Sequence, residues 1–277
     1  MTTGGRSAAI RVSRAAGAVA RLALGALVLA TLATAVGPGS NPAPVAASTA
    51  TDMETQLLNL INGERAKLGL VGLRGHPGLA DLAGDRAAYQ ASVGQLVHIS
   101  CLSCTLTGRG IQWYYAGEVI SYTTYPWGSQ AAQSIFSGWM KSDRHRGILM
   151  SSRFNYIGLG VAYGSSGGAT YASGVVTESN DLTKPWARLA NATRKGTTLT
   201  WTWSGADYRL QTHTAGLKSF DVQYRIGTGT WTTIRSATTA TSISLSRGSG
   251  TYGIRVRARD NRDYLSSWTA EVRLTVP

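Results

Sequence analysis

The stretch from Trp139 to Leu149 places a histidine where it could do chemistry. Apolar residues recur upstream at spacings of three and four, which predicts an amphipathic helix that ends near Asp143. A tight polar turn follows, and Ile148 then returns the chain to the core. His145 lies in that turn, where its imidazole can point into a cleft and react. The alternative is that His145 only hydrogen-bonds the backbone at the helix end.

Glu118 is the only acidic residue between Asp85 and Asp143, and it stands in an apolar, aromatic run from Trp113 to Ile120. A carboxylate that is buried in such a run needs a partner. That partner would be an imidazolium, a metal ion or a set of backbone amides.

Cys101 and Cys104 are the only cysteines of the chain, and they lie three residues apart. In a secreted protein this spacing predicts a small local disulfide. A rival interpretation takes His98, Cys101 and Cys104 as zinc ligands, although the sequence offers no fourth protein ligand beside them.

The composition suits a secreted chain of two domains. Of the 277 residues, 43% are apolar, enough to build cores, and only 15% are charged. Four arginines precede an apolar run over residues 22–36, and small-residue cleavage sites end at Ala35 and Ala47. We therefore expect a cleavable signal peptide over residues 1–35 and a flexible linker over residues 36–50. An uncleaved anchor is the alternative.

Helical and strand patterns fill residues 51–181. The pair Thr51–Asp52 predicts the start of a first helix that Gly69 stops, and His76 with Pro77 begins a second helix that ends at Gly94. Residues 153–163 and 171–177 alternate as the two strands of a hairpin. Helices and strands thus have to position the candidate residues together.

The order of these pieces resembles the CAP superfamily, which includes cysteine-rich secretory proteins, antigen five and pathogenesis-related proteins, in its short bacterial form. The matching stretches are LLNLINGERAKLGL, HPGLADLAGDRAAYQAS, LVHIS, AGEVISY, WMKSDRHRGIL and FNYIGLGVAYG. The resemblance implies an α-β-α sandwich with a groove that can hold a divalent metal such as zinc. By position, His98 and His145 are similar to the two groove histidines, and Glu118 to the first groove glutamate.

Two positions depart from the family pattern. Val119 stands where the family usually has Asn, and Ser142 stands where animal and plant members have a second groove glutamate. Two histidines and one carboxylate still suffice to bind zinc and to activate a water. A serine, however, does not replace a carboxylate as a general base. Ser142 as a nucleophile activated by His145 is a further option.

Apolar residues alternate with polar ones from Lys184 onward, which predicts short strands in a β-sandwich. The stretches LTWTWS, FDVQYR, GTWTTI and TYGIRVRARDNRDYLSSWT resemble fibronectin type III domains, and Tyr252 is similar to their corner tyrosine. The predicted fold class is therefore α+β, with a CAP-type domain over residues 51–181 and an all-β fibronectin type III-like domain over residues 182–277.

The excess positive charge lies in this second domain. Residues 51–181 hold 9 basic and 9 acidic residues, whereas residues 182–277 hold 14 basic and 5 acidic ones. Strand alternation turns five arginines outward, and the resemblance puts their strands in one sheet, so we expect a basic face or, alternatively, ordinary solvated surface. These are Arg225, Arg255, Arg257, Arg259 and Arg273.

The favoured function is that of a secreted, non-enzymatic or weakly enzymatic protein. Its groove of His98, Glu118 and His145 would bind a divalent metal or a small apolar ligand. The basic domain would tether it to an anionic cell-wall polymer or lipid surface. A metal-assisted hydrolase or peptidase that uses the same three residues is the alternative, and a purely structural adhesion module is a third hypothesis. We expect a monomer and no nucleic-acid partner.

Overall fold

The computed structural model describes residues 49–164 and 168–277. The predicted signal peptide over residues 1–35 lies outside the described residues, and so does the predicted linker up to residue 48. In the described ranges, no helix combines the length and the apolar character that crossing a membrane requires.

Helices and strands mix in the first domain, as predicted. In chain order its elements are α1 (Ala50–Lys67), β1 (Arg74–Gly75), α2 (Pro77–Val93), α3 (Leu102–Gly108), β2 (Tyr115–Thr123), α4 (Ser129–Lys141), α5 (Asp143–Leu149), β3 (Tyr156–Gly164) and β4 (Ala169–Glu178). The four strands form one sheet in the order β1-β3-β4-β2, with β1 parallel to β3 and the other pairs antiparallel.

Helices cover both faces of this sheet. On one face, α1 and α4 bury an apolar core that includes Leu57, Trp139 and Val161. On the other face, α2 packs over β3 and β4 through residues such as Leu79 and Leu82. The predicted α-β-α sandwich is confirmed.

Local capping residues set the ends of the two long helices. Thr49 caps α1, because its Oγ1 accepts from the amide of Asp52 while the Asp52 carboxylate accepts from the amide of Thr49. The cap therefore lies two residues before the predicted start at Thr51–Asp52, and the helix begins at Ala50. His76 caps α2 through Nδ1, and Gly94 ends α2 in the left-handed conformation, as the sequence predicted.

The contact between α2 and β3 requires glycine. A β-carbon added to Gly158 would lie 1.9 Å from the backbone of Leu79, and one added to Gly160 would lie 2.3 Å from that of Ala83. No side chain fits at such distances. These two glycines thus allow α2 to lie against the sheet, and α2 in turn carries part of the candidate site.

The predicted turn around His145 is a second helix. The chain leaves α4 at Ser142, whose extended backbone breaks the helix, and the Ser142 Oγ accepts from the amide of His145 to start α5. Asp143 lies in the first turn of α5, where the helix dipole favours an acidic residue. His145 therefore stands on a helical turn rather than in a loop.

The second domain is an all-β sandwich of two sheets, as predicted. Its strands are β5 (Trp186–Lys195), β6 (Thr198–Ala206), β7 (Leu217–Ile226), β8 (Thr232–Thr238), β9 (Ser242–Ser246), β10 (Gly250–Asp260) and β11 (Val272–Val276). They form a sheet in the order β11-β10-β7-β8 and a sheet in the order β5-β6-β9. Buried residues such as Trp201, Val222 and Ile254 fill the space between them. Tyr252 donates from its hydroxyl to the carbonyl of Gly248, which is the hydrogen bond of a tyrosine corner.

A loop of the second domain docks against the first domain. The loop runs over residues 207–216, and its Leu210 is 3% exposed within the apolar cluster of α2. The amide of Val71 donates to the side chain of Gln211 over 2.6 Å, and the Asn155 side chain donates to the carbonyl of Thr212 over 3.1 Å. Because apolar packing and partly buried hydrogen bonds join them, the two domains form one packed unit rather than two independent ones.

Candidate functional site

Glu118 and His98 form a hydrogen-bonded pair beside strand β2. Antiparallel pairing sets Glu118 opposite Val175, on the face of the sheet that α2 partly covers, and leaves Glu118 only 8% exposed. Its Oε2 accepts from the amide of Ile99 over 3.0 Å and lies 2.7 Å from Nδ1 of His98. We expected this carboxylate to have a partner if it was buried. In the structure its partners are the imidazole of His98 and the backbone amide of Ile99.

Arg86 of α2 is the residue of this site that the sequence interpretation missed. Its Nε lies 3.8 Å from Oε1 of Glu118, and its Nη2 donates to the carbonyl of Val97. A buried carboxylate calls for a countercharge, and Arg86 is the one basic residue of α2. A buried carboxylate together with the one basic residue of α2 was the sequence feature that could have identified Arg86.

His145 faces the same region from α5. Its ring centroid lies 6.5 Å from that of His98, and the two ring planes are tilted by 55°. Burial lowers the pKa of His145, and the nearby His98 and Arg144 lower it further, so the neutral imidazole is favoured. A neutral imidazole has a nitrogen lone pair free to accept a proton or to bind a metal ion.

Cys101 and Cys104 are joined in a disulfide that begins helix α3. Both sulfurs are therefore bonded to each other, and in this state neither thiolate is available to a metal ion. The zinc set of His98, Cys101 and Cys104 does not form in this structure. The disulfide instead closes a small loop at the start of α3, directly after the segment that bears His98.

The site consequently has two imidazoles and one carboxylate that is already hydrogen-bonded. Among the described residues, no three His, Cys, Asp or Glu side chains are grouped closely enough to hold an ion by themselves. Ser142 has its Oγ on the amide of His145 as a helix cap. That position gives Ser142 a structural task, and among the described residues no hydrogen bond joins its Oγ to the His145 ring.

The five outward arginines of the second domain stand on strands of one sheet, but most of them have partners there. Glu271 accepts from Arg225 and from Arg273, and Asp221 accepts from Arg257 over 2.9 Å. Arg259 approaches Asp221 to 3.6 Å. Arg259 also lies 3.6 Å from Asp263. These three carboxylates reduce the charge of the face without cancelling that of five guanidinium groups.

Hydrogen bonds from Arg225 and then Arg273 lower the pKa of Glu271 to about 2. Burial alone would raise the pKa of Asp221, but hydrogen bonds from Ala237 and Arg257 outweigh it and lower that pKa. Both carboxylates are therefore ionised and paired at neutral pH.

Two tryptophans alternate with three of these arginines. Trp231 lies between the guanidinium groups of Arg225 and Arg255, at 4.6 and 4.4 Å from ring centroid to carbon, and Trp268 lies between Arg255 and Arg257, at 4.8 and 4.6 Å. Such cation–π stacking packs the arginine stems side by side. We call this row the Arg–Trp ladder. The sequence interpretation assigned no role to either tryptophan, because both lie in loops outside the alternating strands.

The first domain matches a known protein family. Residues 58–176 match the family model described as "CAP: Cysteine-rich secretory protein family". The first domain is thus a CAP domain, as the resemblance implied. A comparison with curated proteins finds no match for the chain.

Similar solved structures include a cysteine-rich secretory protein from Staphylococcus aureus, which has 22% identity and a TM-score of 0.39. The match covers 50% of this chain and 41% of the Staphylococcus aureus chain. An extracellular protein with an SCP domain from Bacillus anthracis has 20% identity and a TM-score of 0.40, covering 47% of this chain and 41% of the other. The chain thus spans well under two thirds of these relatives. An Fn3-like protein from Clostridium thermocellum has 24% identity and a TM-score of 0.25, covering 32% of this chain and 88% of the other.

Proposed function

We propose that this is an extracellular binding protein whose CAP groove takes a divalent metal ion, such as zinc, on His98 and His145. The observation that carries the proposal is the 2.7 Å contact between Nδ1 of His98 and the carboxylate of Glu118. A carboxylate in that position fixes the ring and its tautomer and leaves Nε2 as the metal-binding atom, which is how metal-bound histidines are commonly oriented.

The residues present fit such an ion through two imidazoles, with water completing the coordination. Ring centroids 6.5 Å apart can face one ion after a small approach of the two side chains. Glu118 serves better as the residue that orients His98 than as a third ligand, because Ile99 and His98 already occupy its Oε2. A bound ion would supply Lewis acidity to a groove ligand.

We favour binding over hydrolysis on the geometry of the same carboxylate. A general base must reach the water that it activates. Glu118 is 8% exposed, and its second oxygen lies beside the guanidinium group of Arg86. A carboxylate held in this way is suited to orienting a neighbour.

Calorimetric titration of the purified mature chain with Zn²⁺ tests the metal proposal. We expect one ion per chain, no measurable binding after His98→Ala or His145→Ala, and binding weakened about 10- to 100-fold by Glu118→Gln. His213→Asn is the matched control, because His213 lies outside the groove and pairs with Glu178. Equal binding by all four variants would refute the site.

The second half of the proposal is that the basic sheet tethers the protein to an anionic cell-wall polymer. The support is the surplus of five guanidinium groups over the three carboxylates paired with them. Arg259 and Arg273 lie outside the Arg–Trp ladder, so they can be changed without removing a stacked ring. We therefore choose Arg259→Gln and Arg273→Gln rather than changes at Arg255 or Arg257.

Sedimentation with purified, teichoic-acid-bearing cell walls tests the tether. We expect retention at low salt, loss at high salt because exposed charges are screened over about 8 Å at physiological ionic strength, and clearly weaker retention of the double variant. Arg194→Gln with Lys195→Gln, on the other sheet, is the control of equal charge change. If the control loses as much retention as the test variant, overall charge and not this sheet is responsible.

N-terminal sequencing of protein from culture medium should find a start after Ala35 or Ala47.

A further inference from the structure

An aromatic surface at one end of the CAP sheet has no part in the groove or in the basic sheet. Trp127 and Tyr163 line one open depression of about 490 Å³ together with Pro126. Trp127 is 37% exposed and Tyr163 is 47% exposed, so both rings lie against solvent. Soluble proteins seldom leave several large rings together in water without a use for them.

A second depression, of about 360 Å³, begins at Tyr125, two residues before Trp127. Its remaining lining consists of amide and hydroxyl side chains from α4, namely Gln130, Gln133, Ser134 and Ser137. The chain segment between the two depressions is anchored to the sheet, because Thr170 donates to the carbonyl of Tyr125 over 2.9 Å and Thr123 donates to Ser134 over 3.0 Å. The two depressions are therefore neighbouring parts of a fixed surface.

The chemistry of the lining restricts the ligand. The lining residues of the two depressions carry no charge, since they are tyrosine, tryptophan, proline, glutamine and serine. This excludes recognition through ion pairs. The lining also lacks leucine, isoleucine, valine, methionine and phenylalanine, which a pocket for a lipid chain would use.

We propose that this surface binds a neutral glycan. The C–H face of a pyranose ring is apolar and stacks on an indole or phenol ring, whose face is electron-rich. The hydroxyl and acetamido groups at the edge of the sugar are met by the amides and hydroxyls of α4, which both donate and accept. An extended polysaccharide fits two open, adjacent depressions better than an enclosed pocket would.

Retention of the full chain on insoluble polysaccharide tests the proposal. The probes are chitin, cellulose, and peptidoglycan stripped of its anionic polymers, so that an N-acetylated glycan is distinguished from a plain glucan. We expect retention on at least one of them that is unchanged between low and high salt, because no ion pair takes part. Trp127→Ala should weaken the binding about tenfold, and Tyr163→Ala should weaken it in the same direction.

Trp186→Ala is the matched control, because Trp186 has the same 37% exposure but lies on β5 of the second domain. It should leave retention unchanged, as should Arg259→Gln, which separates this surface from the basic sheet. All of these side chains are partly or largely exposed, and thermal unfolding should confirm that the variants fold. Failure of every glycan to retain the chain would overturn the proposal. Retention on neutral phosphatidylcholine vesicles that Trp127→Ala abolishes would also overturn it and assign the surface to lipid.

Discussion

Replacing Leu210 by alanine should destabilise a domain to which Leu210 does not belong by sequence. The residue lies in the loop 207–216 of the second domain, yet its side chain is 3% exposed in the cluster formed by Leu79, Leu82 and Tyr156 of the CAP domain. Truncation removes three carbon atoms from that cluster and leaves a cavity. Leucine-to-alanine changes in cores cost about 2–5 kcal/mol.

We expect a cost of about 2–3 kcal/mol at this site, because the loop lies at the edge of the core and can close part of the cavity. For a folded unit of this size, that corresponds to a fall of roughly 5–10 °C in the melting temperature. Hydrogen exchange followed by mass spectrometry locates the effect. Peptides from α2 and β3 should lose protection in the Leu210→Ala variant, although α2 lies more than a hundred residues away from Leu210 in the chain.

Leu68→Ala provides the control for this experiment. Leu68 follows α1 in the CAP domain but is 58% exposed, so its truncation should leave both the melting temperature and the exchange of α2 unchanged. If Leu210→Ala altered exchange only in the peptides of its own loop, the docking would contribute nothing to the CAP domain. That result would refute the reasoning.

Three further outcomes can be measured by thermal unfolding followed by circular dichroism. Gly158→Ala should prevent folding or cost well over 3 kcal/mol, because the added methyl group would overlap the α2 backbone, whereas Gly63→Ala should be tolerated in open space. Arg65→Met should cost about 3 kcal/mol or more, because the buried guanidinium group donates to the carbonyls of Val71, Leu149, Ser151 and Phe154, which would lose their donor. Glu271→Gln should destabilise the sandwich at neutral pH. The deficit should shrink as pH falls from about 4.5 toward about 2, because the stability that a depressed carboxyl pKa contributes is complete above the unfolded value and is lost as pH falls toward the folded value. A deficit independent of pH would contradict this.

The sequence predicted best the features that depend on a few adjacent residues. His76, Pro77 and Gly94 determine both ends of α2, because capping uses only backbone groups within one turn. The first helix begins one residue before its predicted start for a related reason. Thr49 and Thr51 are both capable caps, because each has an acidic residue three positions on, Asp52 and Glu54. In the structure Thr49 forms the capping box with Asp52, whereas Glu54 accepts from the amide of Val161.

The candidate site was less accessible to sequence reasoning, because its partners come from distant segments. Family resemblance brought His98, Glu118 and His145 together, but the contact between Arg86 and Glu118 depends on how α2 lies across the sheet. Strand alternation likewise turned the five arginines outward. Strand alternation could not predict the contacts of these arginines with Trp231 and Trp268. Both tryptophans reach the sheet from loops, and the alternation of residues in strands does not specify the path of a loop.

The docking of Leu210 has a consequence for how the molecule would engage a composite surface such as a cell wall. When two domains are joined by a flexible tether, a partner must bind each of them separately. Each further contact then carries an entropic cost, because it fixes the orientation of a domain that was free to move. Here buried packing and hydrogen bonds fix the CAP domain against the sandwich before any partner arrives. A polymer that reached both domains would therefore gain avidity only if the distance between its own binding groups matched the fixed distance between the two domains. The rigid junction between the domains thus selects partners by the spacing of their binding groups.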